Sequence, residues 1–353
     1  MADPATHVAH VSIRIQQSHG TFTLDMPAWN ALYQIRNFAA GVENVRAQDA
    51  RGATAEVRNT KLSEWEVTAP AGCVVIMYDI HLDTPGPFGS VLNTDRRVEA
   101  GMLRALADTD VRAPTLRWAD PDGTRLGRPT LVMDLAQGVC DGFVLNGGLP
   151  LGERVELAER IYDQLATIHL VDWRQLGLAG ALSDPGPAAA LAAVDHWESE
   201  LRRVQLEPEP ELAFVLDWLR RAAPTSEVTT IVHGDFKPGN VLLQGGQVTA
   251  VLDWETVHLG DPHEDLGWVT NPLRQGEHRI PGAWEPQDLL DRWAKHTGLT
   301  VDAGAVRWWQ VLANVKLSVI VLTGSRAFVE GRLDRIHQSP VRIYRLLLDQ
   351  IGV

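Results

Sequence analysis

The chain has 353 residues, of which 45% are hydrophobic and 22% charged, as expected for a globular protein of two or three domains. The formal net charge of −13 argues against a nucleic-acid partner, and two cysteines are too few for a disulfide framework or a cysteine-type zinc site. The first 17 residues lack an apolar leader stretch, and the apolar run 317–322 is too short to cross a membrane. We therefore expect a cytoplasmic protein without a membrane partner.

Residues 1–93 show the alternation typical of β-strands. Apolar and polar side chains alternate in four segments, at 11–15, 22–26, 65–67 and 74–82. The turn-forming sequences Asp49-Ala-Arg-Gly52 and Ala69-Pro-Ala-Gly72 lie between such segments. Short strands at this spacing predict a partial antiparallel β-sandwich over residues 1–93.

From Arg96 onwards the apolar period becomes helical. Val155, Ala158, Ile161 and Leu165 follow one another at intervals of three and four residues, which places them on one helix face. Stretches rich in proline and glycine separate further helical segments. Residues 94–353 are therefore predicted to form a second domain, and the fold class of the chain is α+β.

The most informative sequence is His233-Gly-Asp-Phe-Lys-Pro-Gly-Asn240 with the later Asp253-Trp-Glu255. A β-branched run, 228–232, precedes it, and the runs 241–243 and 248–252 flank Gln-Gly-Gly, which predicts a tight hairpin. Such a hairpin brings Asn240 and Asp253 to neighbouring strand ends, where their oxygens can hold Mg²⁺. The carboxylate of Asp235 is suited to orient a hydroxyl nucleophile. The alternative is that these side chains only cap turns.

This sequence resembles the H-x-D-x-x-x-x-N and D-W-E motifs of the aminoglycoside phosphotransferase and choline kinase-like family. It is most similar to the subgroup fused to acyl-CoA dehydrogenases, and further segments from about residue 96 to the C-terminus support the resemblance. The resemblance implies a protein-kinase-like phosphotransferase fold with an incomplete small lobe. In that fold, residues 94–137 form the remaining small lobe and hinge, and residues 138–353 form the large helical lobe.

The resemblance also implies roles for individual residues. Asp235 is expected to be the catalytic base, with Lys237 either a γ-phosphate contact or a solvated loop charge. Mg²⁺ ligands are expected at Asn240 and Asp253. Glu255 is expected to reach a second metal of the site or a cationic substrate, or else to be a structural ion-pair partner. The residues expected to bind ATP are Met133 in the adenine pocket, the backbone of Asp134 and Ala136, and the helix glutamate Glu99. His233 is expected to bond a backbone carbonyl, and Asp261 and Asp265 are expected to hold the catalytic loop through backbone N–H groups.

The N-terminal segment has a different resemblance. Met26-Pro-Ala-Trp-Asn-Ala-Leu-Tyr-Gln-Ile-Arg-Asn-Phe38 and Asp83-Thr-Pro-Gly-Pro-Phe-Gly-Ser-Val-Leu-Asn93 are similar to the N-terminal β-sandwich domain of glycyl-aminopeptidase-type metallopeptidases. The zinc motif of those enzymes is absent, since Gly267 stands where the second histidine after His263-Glu264 is needed. We therefore expect a structural or binding role for this segment. Because the two sequence patterns join abruptly, a further alternative is that the chain is a recombined or artificial fusion.

Two phosphate-binding features expected of the kinase-like fold are not found in the sequence. No lysine occurs between Lys61 and Lys237, so Glu99 has no obvious small-lobe lysine partner. The Gly86-Pro-Phe-Gly89 sequence lacks a following strand lysine and is interpreted as a turn. The sequence thus predicts an ATP- and Mg²⁺-dependent kinase that phosphorylates a hydroxyl of a small molecule, either aminoglycoside-like or hydroxyacyl-type. The alternatives are a catalytically impaired nucleotide-binding or scaffold module and a peptide-binding protein.

Overall fold

The structure is a computed structural model that describes residues 2–3, 8–18, 20–25, 29–31, 34–36, 42–61, 64–81, 96–125, 129–178, 181–330 and 339–353. The strands are β1 (Ala2–Asp3), β2 (Val8–Ser18), β3 (Thr21–Asp25), β4 (Trp29–Ala31), β5 (Gln34–Arg36), β6 (Val42–Asp49), β7 (Thr54–Lys61), β8 (Glu64–Thr68), β9 (Gly72–His81), β10 (Leu116–Asp120), β11 (Thr130–Met133), β12 (Thr230–Val232), β13 (Val241–Gln244), β14 (Gln247–Val251) and β15 (His258–Gly260). The helices are α1 (Arg96–Leu106), α2 (Leu151–Leu170), α3 (Ala189–Val204), α4 (Pro210–Arg221), α5 (His263–Val269), α6 (Gln275–His278), α7 (Pro286–Thr297), α8 (Ala303–Val329) and α9 (Val341–Ile351).

The chain divides into two compact units. The first comprises Met1–Asn93, Gly123–Arg128 and Gly324–Gln338, and the second comprises Thr94–Asp122, Pro129–Thr323 and Ser339–Val353. The two short later segments of the first unit have no counterpart in the predicted boundaries, which placed one division after residue 93. The Gly86-Pro-Phe-Gly89 sequence lies outside the described residues.

The first unit contains a seven-stranded antiparallel sheet in the order β1-β2-β9-β6-β7-β8-β3. β2 pairs with β9 and β3 pairs with β8, yet β2 and β3 are consecutive along the chain and only residues 19 and 20 separate them. β2 and β3 lie near opposite ends of the strand order, so a connection this short can join them only if the sheet curls and brings its two ends together. The predicted turn at 49–52 is confirmed, since the Asp49 carboxylate accepts hydrogen bonds from the N–H groups of Arg51 and Ala53 at 2.8 and 2.9 Å.

A small apolar core stabilises this curled sheet. Val67, Val74 and Ile76 are fully buried, with Ala47 and Ala55 beside them. The predicted period of two is confirmed for the segment 74–78, because Val74 and Ile76 point inwards while the residues between them are less buried.

The second unit has a larger, mainly helical core. Apolar side chains spaced by three and four residues on α2 are buried, including Leu157, Ile161 and Leu165, as the helical pattern predicts. The same core receives the inward faces of α4, α7 and α8. Two antiparallel strands, β10 and β11, form a hairpin in this unit.

The predicted tight hairpin in the second unit is confirmed. β13 and β14 pair antiparallel from Val241 opposite Val251 to Gln244 opposite Gln247. The turn consists of Gly245 and Gly246, whose φ angles of 57° and 72° lie in the left-handed region that favours glycine. β12 is shorter than the predicted run, beginning at Thr230, and it pairs with β15. These two ribbons carry the polar loop between β12 and β13.

One helix is longer and more apolar than the sequence pattern suggested. α8 has 27 residues and a mean hydropathy of 1.4 over its most apolar 18-residue window, which meets the length and composition criteria for a membrane span. However, 61% of that window is buried within the structure. Its polar residues are also engaged internally, since Asn314 accepts a hydrogen bond from Asn271 at 2.8 Å and Ser318 donates to Asn314 O at 2.9 Å. These contacts are those of a core helix.

Candidate active site

The loop that follows β12 is held from below by one buried carboxylate. Asp265 on α5 accepts hydrogen bonds from the backbone N–H groups of His233 and Gly234 at 2.7 and 2.9 Å. His169 also contacts Asp265 at 3.1 Å through Nε2, and Trp293 donates to His169 Nδ1 at 2.9 Å. Because Nδ1 accepts, the ring proton is on Nε2 and His169 donates to the carboxylate. The loop-holding role predicted for Asp265 is confirmed.

Asp261 does not share that role. It accepts hydrogen bonds from the Ser226 hydroxyl at 2.7 Å and from the backbone N–H of His263 at 2.8 Å, and its carboxylate contacts His263 Nδ1 at 2.6 Å. The prediction for Asp261 was therefore wrong, because the start of α5 turns its carboxylate towards its own helix and away from the loop.

His233 is a buried support of the loop. Its Nε2 contacts the carbonyl of Leu252 at 3.0 Å, and the backbone N–H of Asp235 donates to its Nδ1 at 3.3 Å. The ring lies among aromatic neighbours, 5.7 Å from Phe236 and 5.0 Å from Trp254 between centroids. Burial lowers the pKa of His233, so the ring is neutral and joins the two halves of the site. The predicted contact with a backbone carbonyl is confirmed.

The side chains of the motif converge beside this support. The Asn240 amide nitrogen lies 3.2 Å from Asp235 Oδ2 and 3.5 Å from Asp253 Oδ2. Lys237 forms an ion pair with Asp235, and both side chains are largely buried. The link between Leu252 N–H and Asn240 O, 2.8 Å long, continues the β13–β14 ladder and sets this spacing. The prediction that Asn240 and Asp253 lie on neighbouring strand ends is confirmed.

Asp235 remains a carboxylate in these surroundings. Burial acts to raise its pKa, but the positive charges of Lys237, Arg274 and Lys316 and the hydrogen bond from Lys237 hold the pKa below its ordinary value. An ionised carboxylate can accept a hydrogen bond from an alcohol and orient it, which is the chemistry of a base in phosphoryl transfer.

Asp253 is in the opposite electrostatic situation. Burial, together with the negative charges of Glu255, Asp235 and Glu99, raises its pKa to about 6, against a smaller opposing effect of Lys237. Its backbone is also in the left-handed region, with φ of 68°, which few non-glycine residues adopt. Strained backbone and uncompensated negative charge are typical of a residue that functions with a cation.

The donor set at this place suits Mg²⁺ better than a transition metal. An amide and a carboxylate provide hard oxygen ligands, and phosphate oxygens supply the remaining ones when a nucleotide is bound. Among the described residues, no group of three His, Cys, Asp or Glu side chains is arranged to hold a metal without a nucleotide. Glu255 is exposed and acts on Asp253 through its charge, and it forms no hydrogen bond within the described part of the chain.

Glu99 is buried on α1, which packs against the turn of residues 254–256. Its ion-pair partner within the described residues is Arg96, three residues earlier on the same helix. The side chain of Lys61 lies outside the described residues, so the structure shows no lysine beside Glu99.

The predicted adenine-binding residues follow β11. Met133 is 39% exposed at the strand end. The N–H of Asp134 donates to Thr115 O at 2.9 Å, and its carboxylate forms a bidentate pair with Arg117. The backbone N–H of Asp134 is therefore already hydrogen-bonded, and its backbone carbonyl is the group available to accept a hydrogen bond from adenine. Ala136 is partly exposed in the following loop.

Two cations near the site were missed by the sequence reasoning. Lys316 on α8 is buried and donates to the carbonyl of Gly234. Arg274 is buried over the Trp268 ring at 4.2 Å and pairs with Glu277 at 3.0 Å. The sequence did offer one signal for Lys316, because lysines are scarce in this chain and this one lies within an apolar helical segment. Burying its charge costs free energy unless the ammonium group has an interaction partner.

Comparison with known proteins identifies a family model and several relatives that match this chain. A family model described as the phosphotransferase enzyme family matches residues 35–310, starting inside the segment that the sequence pattern assigned to a separate sandwich. Acyl-CoA dehydrogenase family member 10 of Mus musculus is 29% identical over 188 residues, covering 52% of this chain and 17% of that protein. Acyl-CoA dehydrogenase family member 11 of Rattus norvegicus is 28% identical over 251 residues, covering 66% of this chain and 32% of that protein. The chain thus spans less than a third of the length of these two relatives.

Solved structures show the fold. A putative aminoglycoside phosphotransferase from Ralstonia eutropha superposes with a TM-score of 0.59 at 20% identity, covering 84% of this chain and 89% of that one. A macrolide 2'-phosphotransferase type I superposes with a TM-score of 0.51 at 17% identity, covering 81% and 92%. The predicted α+β, kinase-like phosphotransferase fold is confirmed, with a curled antiparallel sheet. The metallopeptidase resemblance of residues 1–93 stays a prediction.

Proposed function

The chain belongs to the phosphotransferase enzyme family, and we propose that it transfers the γ-phosphoryl group of ATP, with Mg²⁺, to a hydroxyl group of a small molecule. The observation that carries this proposal is the convergence of Asp235, Asn240 and Asp253, with the Asn240 amide within 3.5 Å of both carboxylates. A base and two cation ligands at one place are what phosphoryl transfer requires, because positioning and charge neutralisation dominate its catalysis.

Each residue has a part in the proposed reaction. The ionised Asp235 accepts a hydrogen bond from the acceptor hydroxyl and takes its proton as the new phosphate ester forms. Asn240 and Asp253 would hold Mg²⁺, which would supply charge neutralisation to the phosphate groups. Lys237, which is paired with Asp235, would transfer its hydrogen bond to a phosphate oxygen when the nucleotide is bound. Asp265 keeps the loop in place through two backbone N–H groups.

The test compares single amide substitutions in the full chain. Asp235→Asn keeps the shape but removes the base, so we expect the turnover number to fall about 100-fold or more while MgATP affinity changes little. Asp253→Asn replaces a charged metal ligand by a neutral amide oxygen, so MgATP affinity itself is expected to fall. The control is Asp291→Asn on α7, an exposed carboxylate whose hydrogen-bond partner is Gln287. ADP release with a panel of hydroxyl compounds and calorimetric MgATP binding are the measurements. Unchanged turnover in Asp235→Asn would contradict the proposal.

A second candidate function is a nucleotide-binding module with impaired catalysis. The observation that favours it is the pairing of Glu99 with Arg96, with no lysine side chain beside Glu99 in the part of the chain that the structure describes. Loss of one phosphate-positioning contact costs on the order of 100-fold in rate. MgATP binding without phosphoryl transfer to any member of the panel would support this candidate. Turnover that survives in Glu99→Gln would show that the Glu99 carboxylate is dispensable for phosphate placement.

A further inference from the structure

Lys316 is a buried basic residue that takes no direct part in the proposed reaction. It lies on α8, and its side chain donates to the backbone carbonyl of Gly234. The Trp268 ring lies 4.4 Å and the Trp197 ring 5.5 Å from Nζ, so aromatic faces replace part of the water that an ammonium group loses on burial. The side chain therefore contacts one point of the catalytic loop, the peptide group that precedes Asp235.

The charge of Lys316 is balanced by three carboxylates in its surroundings. Burial lowers the pKa of Lys316, whereas the negative charges of Asp235, Glu264 and Asp265 oppose that effect. A charged donor also forms a stronger hydrogen bond to a carbonyl than a neutral donor does. Lys316 thus joins the loop carbonyl to the acidic groups around the proposed base, and no further ligand is needed to explain its burial.

Gly234 is the residue at which the catalytic loop turns towards Asp235. Its φ of 81° lies in the left-handed region, and a Cβ at this position would be 2.9 Å from Thr256 Oγ1. Glycine permits this turn, but it restricts the rotation of the following peptide group less than any other residue would. That rotation matters, because it changes the direction in which the Asp235 side chain leaves the loop.

Two hydrogen bonds hold this peptide group, one at each end. Lys316 donates to its carbonyl oxygen, and its N–H, which belongs to Asp235, donates to His233 Nδ1 at 3.3 Å. The second bond is long for an N–H donor, so the bond from Lys316 is the stronger restraint. The preceding peptide group is held separately, since Asp265 accepts a hydrogen bond from the Gly234 N–H at 2.9 Å. Loss of the Lys316 bond would leave the Gly234–Asp235 peptide group with the weaker of its two restraints.

The helices that supply these supports are packed tightly against each other. α5 carries Asp265 and α8 carries Lys316. A Cβ added at Gly267 of α5 would be 2.6 Å from the Cβ of Trp309 of α8, so the two helices approach as closely as a glycine allows. The lysine side chain therefore reaches the loop from a helix whose own position is well fixed.

We propose that Lys316 is a positioning residue for phosphoryl transfer, because its hydrogen bond to Gly234 fixes the peptide group before Asp235 and so directs the base towards the acceptor hydroxyl. The inference rests on the proposed function and adds a residue to it. Lys316 acts through Asp235 and does not itself touch the nucleotide or the acceptor. Misplacement of a reacting group by about 1 Å costs on the order of 100-fold in rate, so the effect is expected in kcat rather than in MgATP affinity.

The first measurement is ADP release by the full chain carrying Lys316→Met, which keeps an unbranched side chain but has no donor and no charge. We expect kcat to fall at least about tenfold while the KM for MgATP changes less than about threefold. Lys316→Gln is expected to give the same pattern and takes the place of Lys316→Met should that variant not fold. An unchanged kcat would overturn the inference.

Leu322→Ala is the matched control for a general loss of stability. Leu322 is buried on the same helix, about 9 Å further along its axis than Lys316, and its truncation removes packing from α8. Its kcat is expected to stay within about twofold of wild type. An equal fall of kcat in Leu322→Ala and Lys316→Met would show that Lys316 only stabilises the fold, and the inference would fail.

A double substitution shows whether Lys316 acts through Asp235. In the Asp235→Asn background, Lys316→Met is expected to lower kcat by less than about threefold, because the base that Lys316 positions is already absent. If Lys316→Met lowers kcat by the same factor in both backgrounds, Lys316 acts independently of the base and the inference is wrong.

Hydrogen–deuterium exchange of the catalytic loop tests the same hydrogen bond without turnover. In the absence of ATP, Lys316→Met is expected to speed exchange of the Gly234 and Asp235 amides at least about fivefold, and Leu322→Ala is expected to leave these amides close to wild type. Unchanged loop exchange in Lys316→Met overturns the inference whatever happens to kcat. If wild type transfers no phosphoryl group to any member of the panel, the proposed function fails, and loop exchange still decides whether Lys316 holds the peptide group before Asp235.

Discussion

Replacing Asp253 by asparagine is expected to stabilise the protein in the absence of Mg²⁺ while impairing its function. The carboxylate is partly buried near Glu255, Asp235 and Glu99, all of which disfavour its charge. Asparagine removes that charge and keeps the shape. It also tolerates the left-handed backbone, with φ of 68°, better than most residues, so no new strain is introduced. Alanine at the same position would mix the loss of charge with backbone strain.

The magnitude follows from the pKa of Asp253, which is raised from 3.8 to about 6. A shift of about two units corresponds to at most about 3 kcal/mol, and partial solvent exposure reduces the expected effect to about 1–2 kcal/mol. The folded protein holds this proton more tightly than the unfolded chain. Wild-type stability therefore falls as the pH rises from about 4 to about 6 because of this group, and the loss is complete above that range. The asparagine variant has no such titration.

Urea unfolding in EDTA measures the effect. At about pH 8 the Asp253→Asn variant is expected to be more stable than wild type, and at about pH 4 the advantage should shrink to near zero. Adding MgATP should reverse the order at about pH 8, because only wild type keeps the charged carboxylate of Asp253 as a proposed metal ligand and is therefore stabilised more by binding. The exposed Asp291→Asn variant should follow wild type throughout. A variant that is less stable than wild type in EDTA at about pH 8 would refute the electrostatic reasoning.

Two further substitutions test the support of the loop and the packing of the helices. Asp265→Asn leaves at least one of its three donors, the N–H groups of His233 and Gly234 and the His169 ring, without an acceptor, and the remaining hydrogen bonds lose their charged acceptor. The unfolding free energy should therefore fall by about 2–4 kcal/mol. A change below about 1 kcal/mol would contradict the role of Asp265. Gly267→Ala places a Cβ 2.6 Å from Trp309 Cβ and 2.8 Å from Trp309 C, so we expect a loss of about 2 kcal/mol or more by thermal unfolding. Gly101→Ala on α1 is the matched control, since its Cβ meets nothing within 4 Å and the change should stabilise by up to about 1 kcal/mol. Equal destabilisation by the two glycine substitutions would show that the α5–α8 contact is not tight.

The part of the site that the sequence predicted is the part formed by neighbours along the chain. Asp235, Asn240 and Asp253 lie within one loop and one hairpin, and the Gly245-Gly246 turn forces β14 back along β13. Asn240 and Asp253 must then meet, because antiparallel pairing continues to Leu252 N–H and Asn240 O. Local turn chemistry and strand register were sufficient, and no knowledge of the helices was needed.

Other features depended on contacts between residues far apart in the chain, and only the tertiary structure decided them. Lys316 reaches Gly234 across 82 residues, His169 reaches Asp265 across 96, and Trp293 reaches His169 across 124. Such contacts arise from the way α2, α5, α7 and α8 pack, and a helical period shows which face is buried but not which neighbour it meets. The apolar pattern of α8 hid a buried ammonium beside the catalytic loop. The family resemblance implied one shared role for Asp261 and Asp265, whereas the turn into α5 separates them. Sequence proximity thus determined the proposed base and metal ligands, whereas helix packing determined which side chains surround them.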